Sequence, residues 1–232
     1  MKILALETSA VAASVAICED EALIAQNFQR TGLTHSATLM PMLETMLKNS
    51  GMTLNEMDVI AVAAGPGSFT GLRIGVSAAK GLAWSLDKPC AGVSTLEAMA
   101  WQMIGMNGVV CAAMDARRQQ VYNALFDLQD GKPVRLTQDR AISLEELGNE
   151  LVKIEKTLNF VGDGAHLCYN AFQSKGYSVQ MPPAHLQFQS AWGVARCALE
   201  QARAGQLTDA AELLPKYHRL SQAERERLAK QS

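Results

Sequence analysis

Residues 59–86 constrain the fold more than any other stretch. Val59–Ala64 is an unbroken apolar run, the pattern of a buried strand. It leads into Gly65-Pro66-Gly67-Ser68-Phe69-Thr70-Gly71, and a helical stretch follows to about Leu86. A buried strand, a glycine-rich turn and a helix in succession form a βα unit, which needs a sheet with helices packed on it. Pro66-Gly67 predicts a type II turn, with positive φ at Gly67. The helix contains Gly71, Gly75 and Gly81, each costing about 1 kcal/mol relative to alanine, so tertiary packing must offset them. Gly71, Gly75, Ala79 and Ala83 recur every four residues and make one small-residue stripe. Two readings of that stripe stand: close packing on the chain's own sheet, or a helix–helix interface with a partner chain.

The rest of the chain fits an α/β class. Lys2–Glu7, Ala13–Cys18 and Ala22–Arg30 read as short strands, and a helix is predicted over about Ser36–Asn49, stopped by Gly51. On that helix Leu39, Met40, Met42, Leu43, Met46 and Leu47 cover about 160° of the wheel, wider than a usual core stripe. Three of the six are methionine, an adaptable side chain at binding surfaces. A Met-rich core face is the alternative. Capping boxes are predicted at Ser94–Glu97 and Ser143–Glu146, and a cap at Ser190 for a helix over Ala191–Ala204. Val109–Met114, Val121–Leu128 and Leu158–Val161 read as strands, with a hairpin turn at Asp130-Gly131. No internal repeat is legible. The expected organisation is a first lobe over 1–107, a second over 108–205 and a polar tail over 206–232.

Composition excludes several classes. With 48% apolar residues, 19% charged and a net charge of −2, the 232-residue chain is cored rather than disordered. The charge also argues against a nucleic-acid binder acting alone, since only Lys216–Lys230 leans basic. No apolar run reaches the length of a membrane span, and the opening MKILALETS predicts no signal peptide. The five cysteines, at 18, 90, 111, 168 and 197, have no CxxC spacing and read as buried reduced thiols of a cytoplasmic protein.

No catalytic set assembles. His35, His166, His185 and His218 offer no helical HxxxH or HExxH pair, and Ser68 is not in a GxSxG elbow, which argues against a metal site or a peptidase. The glycine loop (Gly65, Gly67, Ser68, Thr70) lacks the Walker and dinucleotide patterns, so a phosphate site there competes with a plain tight turn. Glu7-Thr8 and Asp115 end strands, where α/β ligands sit, and either carboxylate is placed to meet a metal or phosphate or simply to cap a turn. Arg117 and Arg118 directly follow Asp115 and suit recognition of an anion or a partner, or a solvated turn with an internal ion pair. An active ATP-dependent phosphotransferase is therefore the alternative to a binding role.

GPGSFTGLRIGVSAAKGLAW (65–84), GVSTLEAMA (92–100) and MDARRQQVY (114–122) resemble the bacterial TsaB (YeaZ) family, as do ILALETSAVAASVAI (3–17) and PKYHRL (215–220). The resemblance implies the two-lobed actin, sugar kinase and acetate kinase fold (ASKHA), with mixed sheets flanked by helices. It implies a non-catalytic subunit that binds and activates a TsaD-like protein, the transferase that places a threonylcarbamoyl group on adenosine in tRNAs reading codons that begin with A. A TsaE-like ATPase joins, tRNA binds through the complex, and no cofactor is intrinsic, with ATP or ADP at the interface. Partner contact would come from the first two helices, through His35, Leu39, Met42, Met46, Gly71, Gly75, Ala78 and Ala79, and the same pair of helices suits a homodimer when the partner is absent. Phe160–Ala165 stands where the superfamily has its adenosine loop. Family members more often have Asp at position 7 and Gly-Glu at positions 119 and 120, which departs from Glu7 and Gln119-Gln120 here.

Overall fold

The computed structural model describes residues 1–219. Leu220 and most of the basic Lys216–Lys230 stretch therefore lie outside the described residues. The first sheet contains β1 (Lys2–Glu7), β2 (Ala13–Glu19), β3 (Ala22–Gln29), β4 (Val59–Gly65) and β5 (Cys90–Ser94), in the order β3-β2-β1-β4-β5. The second contains β6 (Val109–Asp115), β7 (Gln120–Gln129), β8 (Lys132–Arg135), β10 (Leu158–Val161) and β11 (Val179–Gln180), in the order β11-β10-β6-β7-β8, and β9 (Arg140–Ser143) pairs with β7. Read from its central strand, each sheet has one plan. β1 pairs antiparallel with β2 and parallel with β4, and β6 pairs antiparallel with β7 and parallel with β10. The molecule is a structural duplication that the sequence does not display.

Alternation along β1 and β4 sends side chains to two covered faces. Leu4, Leu6, Ile60 and Val62 meet α1 (His35–Ser50) and α2 (Phe69–Leu86); Ile3, Ala5, Val59 and Ala61 meet α6 (Ala191–Arg203). Both faces are buried, which is why β1 and β4 read as continuous apolar runs. The second sheet packs α4 (Leu144–Leu151) and α5 (Ala165–Phe172) on one face and α3 (Thr95–Gln102) on the other.

α3 and α6 exchange lobes. α3 follows the first sheet in sequence but places Leu96, Met99 and Ala100 on the second. α6 follows the second sheet and places Val194, Ala198 and Leu199 on the first. They cross at Gly193, where a Cβ would overlap the Ala98 carbonyl oxygen. Arg196 is buried at the crossing between the rings of Trp101 and Trp192, at 4.9 and 5.7 Å. The expected boundary at 205 is therefore corrected: α6 belongs to the first lobe's packing, and so does the segment after it. Leu213 is buried beside Gly92, Cys90 and Thr208 exchange backbone hydrogen bonds, and Lys216 N donates to Ala64 O at 2.7 Å. Over residues 206–219 the expected free tail is a docked strap.

Local chemistry refines three further expectations. Ser143 and Glu146 close their capping box, whereas the Glu97 carboxylate turns away from Ser94 to pair with Arg135 at 2.6 Å. Ser190 heads α6 without a side-chain cap; its N–H donates to Gln102 Oε1 at 2.7 Å instead. Positive φ falls on Gly65 (φ 140°) rather than Gly67, so the loop is not the expected type II turn. All five cysteines are free and buried, and burial pushes the Cys18 and Cys168 thiols up to about 12. No helix among the described residues is long and apolar enough to cross a membrane.

Candidate functional site at the inter-lobe cleft

The carboxyl ends of β1 and β6 face each other across a cleft of about 440 Å³. Its walls are the β1–β2 turn (Ser9–Val11), the start of α2 (Gly67–Phe69), the end of β6 (Met114–Arg117) with Tyr122 and Asp163, and the strap (Lys216–Arg219). Gly67, Ser68, Asp115 and Arg117, all singled out in the sequence, thus come together, while exposed Thr70 lies off the lining.

Glu7 and Thr8 sit behind the cleft rather than in it. Glu7 is fully buried, and its Oε1 accepts from Ser9 N at 2.5 Å while Oε2 has no partner. Burial raises its pKa to about 7, opposed by the Ser9 hydrogen bonds and reinforced by nearby Asp163. Burial also raises Asp163, whose Oδ1 accepts from Gln189 Nε2 at 2.8 Å. Thr8 Oγ1 donates to Gly71 O at 2.8 Å and pins α2 to β1. At the rim, Asp115 accepts from Arg117 N at 2.7 Å and pairs with its guanidinium at 3.3 Å. Of the two readings of Asp115-Ala116-Arg117-Arg118, the internal ion pair describes the first arginine; Arg118 is exposed.

Several of the loops' N–H groups are taken up within the chain. Ser68 N donates to Ser9 O, Ser68 Oγ accepts from Gly71 N as the cap of α2, Gly162 N donates to Gln187 O, and Gly164 N donates to Ala113 O. A phosphate cradle needs such groups free and convergent. Gly67 is small because a Cβ would press on the Ser9 backbone, and Gly164 because one would press on Met114 and Asp115. Among the described residues no group of three His, Cys, Asp or Glu side chains converges to hold a metal.

The expected partner-contact residues need correcting. Leu39, Met42, Met46 and Ala79 are at most 5% exposed, and Gly71 and Gly75 are buried too. A Cβ on Gly71 would overlap the Thr8 carbonyl, and one on Gly75 would overlap the Thr8 hydroxyl. The small-residue stripe is therefore packed on the chain's own sheet, and Met42 and Met46 of α1 lie in its core. His35 is half-buried and bonded to Ala10 O at 2.7 Å, and Ala78 is half-buried against the same core. The outward faces of α1 and α2 carry Met40, Pro41, Glu44, Arg73, Ser77 and Trp84 instead. Helical phase could have found them: they occupy the positions between the buried ones.

The strap residues that wall the cleft, and the approach of Asp163 to Glu7, carried no local signal beyond the PKYHRL and GDG blocks. Comparison with known proteins places this geometry. The model of the family "TsaD: tRNA N6-adenosine threonylcarbamoyltransferase" matches residues 29–227. The Bacillus subtilis tRNA threonylcarbamoyladenosine biosynthesis protein TsaB is 35% identical over 167 residues, covering 72% of this chain and 73% of that one. Its Escherichia coli counterpart is 42% identical over 128 residues, covering 54% and 55%. A Pseudomonas aeruginosa structure described as similar to peptidase YeaZ superposes with a TM-score of 0.80 at 26% identity, covering 94% of this chain and 99% of that one. Component A of the (R)-2-hydroxyglutaryl-CoA dehydratase of Acidaminococcus fermentans, at 11% identity and a TM-score of 0.51 over 88% and 99% of the chains, shares the ASKHA fold alone. Duplicated sheets, exchanged helices and these matches along most of the chain agree: it belongs to the TsaB (YeaZ) family of tRNA threonylcarbamoyladenosine biosynthesis proteins.

Proposed function

We propose that this chain is a partner subunit that does not itself catalyse transfer, and that it binds and activates a TsaD-like catalytic subunit. The product is N6-threonylcarbamoyladenosine in tRNAs reading codons that begin with A. Family membership carries the reading. The outward surface of α1 and α2 supports it, because Trp84 is 73% exposed and Met40 45% exposed on two helices packed side by side. Tryptophan is among the side chains that most often anchor interfaces. The buried methionines and the glycine stripe set the position of that surface rather than forming it.

A TsaE-like ATPase and tRNA join through the complex, in the cytoplasm, and the same helical surface closes a homodimer when the partner is absent. ATP or ADP belongs at the interface of the complex. The support is that the Ser68, Gly162, Gly164 and Arg117 N–H groups are taken up internally, which leaves the loops of the chain's own cleft fewer donors for a triphosphate. That also speaks against the phosphotransferase alternative.

The test is reconstitution with tRNA, threonine, bicarbonate, ATP and the other threonylcarbamoylation proteins, using wild type, Trp84→Glu and no chain. Product is expected only with wild type, and Trp84→Glu should lose co-elution with the catalytic subunit while keeping its thermal midpoint. Equal product without the chain overturns the partner role. Unchanged co-elution of Trp84→Glu overturns the surface.

A further inference from the structure

The strap holds the two lobes unequally. On the first lobe it is anchored at the Cys90–Thr208 pair, by buried Leu213, by Lys80 Nζ on Ala211 O at 3.0 Å and by Lys216 N on Ala64 O. Lys216 O lies so close over Gly65 that a Cβ there would overlap it. Tyr217 stacks on Phe69 with centroids 4.4 Å apart, and Arg73 lies over Phe69 at 4.0 Å while its Nε donates to Tyr217 Oη at 3.1 Å. On the second lobe, the strap hydrogen bond among the described residues is Arg219 Nη1 to Ala116 O at 2.6 Å.

The loop it holds is strained. Arg117, Arg118 and Gln119 are successive non-glycine residues at φ 68°, 57° and 57°. L-residues avoid this left-handed region, and a run of three is uncommon. The loop is closed on itself by Gln120 N on Arg117 O at 3.2 Å and Ala116 N on Gln120 O at 3.0 Å, so without the tether it moves as the tip of the β6–β7 hairpin.

We propose that Lys216–Arg219 is a latch across the inter-lobe cleft. Engaged, the Arg219 guanidinium holds the loop after β6 against the first lobe across the mouth of the cleft. Released, the hairpin tip swings away and the cleft widens beside Ser9 and Ser68, while the strap stays docked on the first lobe. One charged hydrogen bond is strong enough to favour the closed state and weak enough to release reversibly. The device also ties the cleft to α2, because Phe69 and Arg73, in the first turns of that helix, grip the same strap.

Amide hydrogen exchange by NMR on the full chain tests this, with wild type, Arg219→Ala, Arg219→Lys and Tyr217→Ala. In Arg219→Ala, exchange at Arg117, Gln120, Ser9 and Ser68 is expected to rise about tenfold. The amides of Lys216, Thr208 and the β1 core should hold their wild-type rates, and Arg219→Lys should restore part of the protection. Tyr217→Ala should free Lys216 as well. Unchanged exchange at 117–120 in Arg219→Ala overturns the latch. So does a rise confined to that loop with Ser9 and Ser68 unmoved, or a uniform rise that includes the β1 core.

Discussion

The two lobes share one sheet plan and differ in what is built on it. Between its third and fourth strands the first lobe inserts a 16-residue helix, and after its fourth a helix of 18 residues. The second lobe has helices of 8 residues before and after β10, its counterpart of β4. All four expose an outward face, but only the long helices carry a large exposed apolar side chain there, Met40 on α1 and Trp84 on α2. The acidic ends of the central strands differ too. Glu7 is fully buried, whereas the Asp115 side chain is 33% exposed and paired with Arg117. The same topology therefore yields a long exposed helical face on one lobe and a rim loop of three left-handed residues on the other.

The largest expected effect breaks what the lobes have in common. Gly193→Val should drive a side chain into the Ala98 carbonyl where the exchanged helices cross, costing upwards of about 3 kcal/mol. Loss of soluble protein or a large drop in thermal midpoint is the expected result; a wild-type midpoint would mean the crossing is loose.

Met42→Ala and Leu147→Ala then probe each lobe's core separately. Each should cost about 2–4 kcal/mol. Because α3 and α6 each pack on the other lobe's sheet, a single cooperative transition is expected in both variants. Two separated transitions by calorimetry would show that the lobes unfold independently.

Glu7 sharpens the contrast between the strand ends. Its folded pKa of about 7 lies above the ordinary glutamate value of 4.5. The native state therefore keeps this proton through pH 4.5–7 where the unfolded chain releases it, so the contribution is a loss of stability as pH rises across that window. The loss reaches about 3 kcal/mol at full ionisation. Glu7→Gln should flatten that slope in urea titrations at several pH values, and an unchanged slope would assign it to another group. Burial raises Asp163 as well, so a residual slope of the same sign is expected from it.

The smallest effect compares two helix starts. Ser143→Ala removes a closed capping box and should cost about 1 kcal/mol, whereas Ser190→Ala removes no side-chain cap and should stay within about 0.5 kcal/mol. Equal losses in chemical denaturation would contradict the geometry at Ser190.

Much of the fold was legible because its signals are local. The apolar runs at Lys2–Glu7 and Val59–Ala64, the Gly51 stop, the Asp130-Gly131 hairpin and the Ser143–Glu146 box each depend on neighbours within a few residues. The site was legible only in part. The sequence brought Gly67, Ser68, Asp115 and Arg117 forward because strand ends and glycine loops announce themselves. It did not separate the inward from the outward face of α1, since a wide apolar stripe fits both a core and an interface.

By itself, then, the sequence determined the α/β class, most of the strands and helices in their order and the family, but not β5, β9, β11, α5 or the shape of the Gly65–Gly71 turn. The tertiary structure alone decided the duplication of the sheets, the exchange of α3 and α6, the burial of Glu7 and the docking of residues 206–219. Each of those joins residues far apart in the chain: Gly193 meets Ala98, Lys216 meets Ala64, and Arg219 meets Ala116. Periodicity and capping report only on a residue's neighbours along the chain. Burial and close approach depend on which distant surface arrives, and that is settled when the two sheets pack.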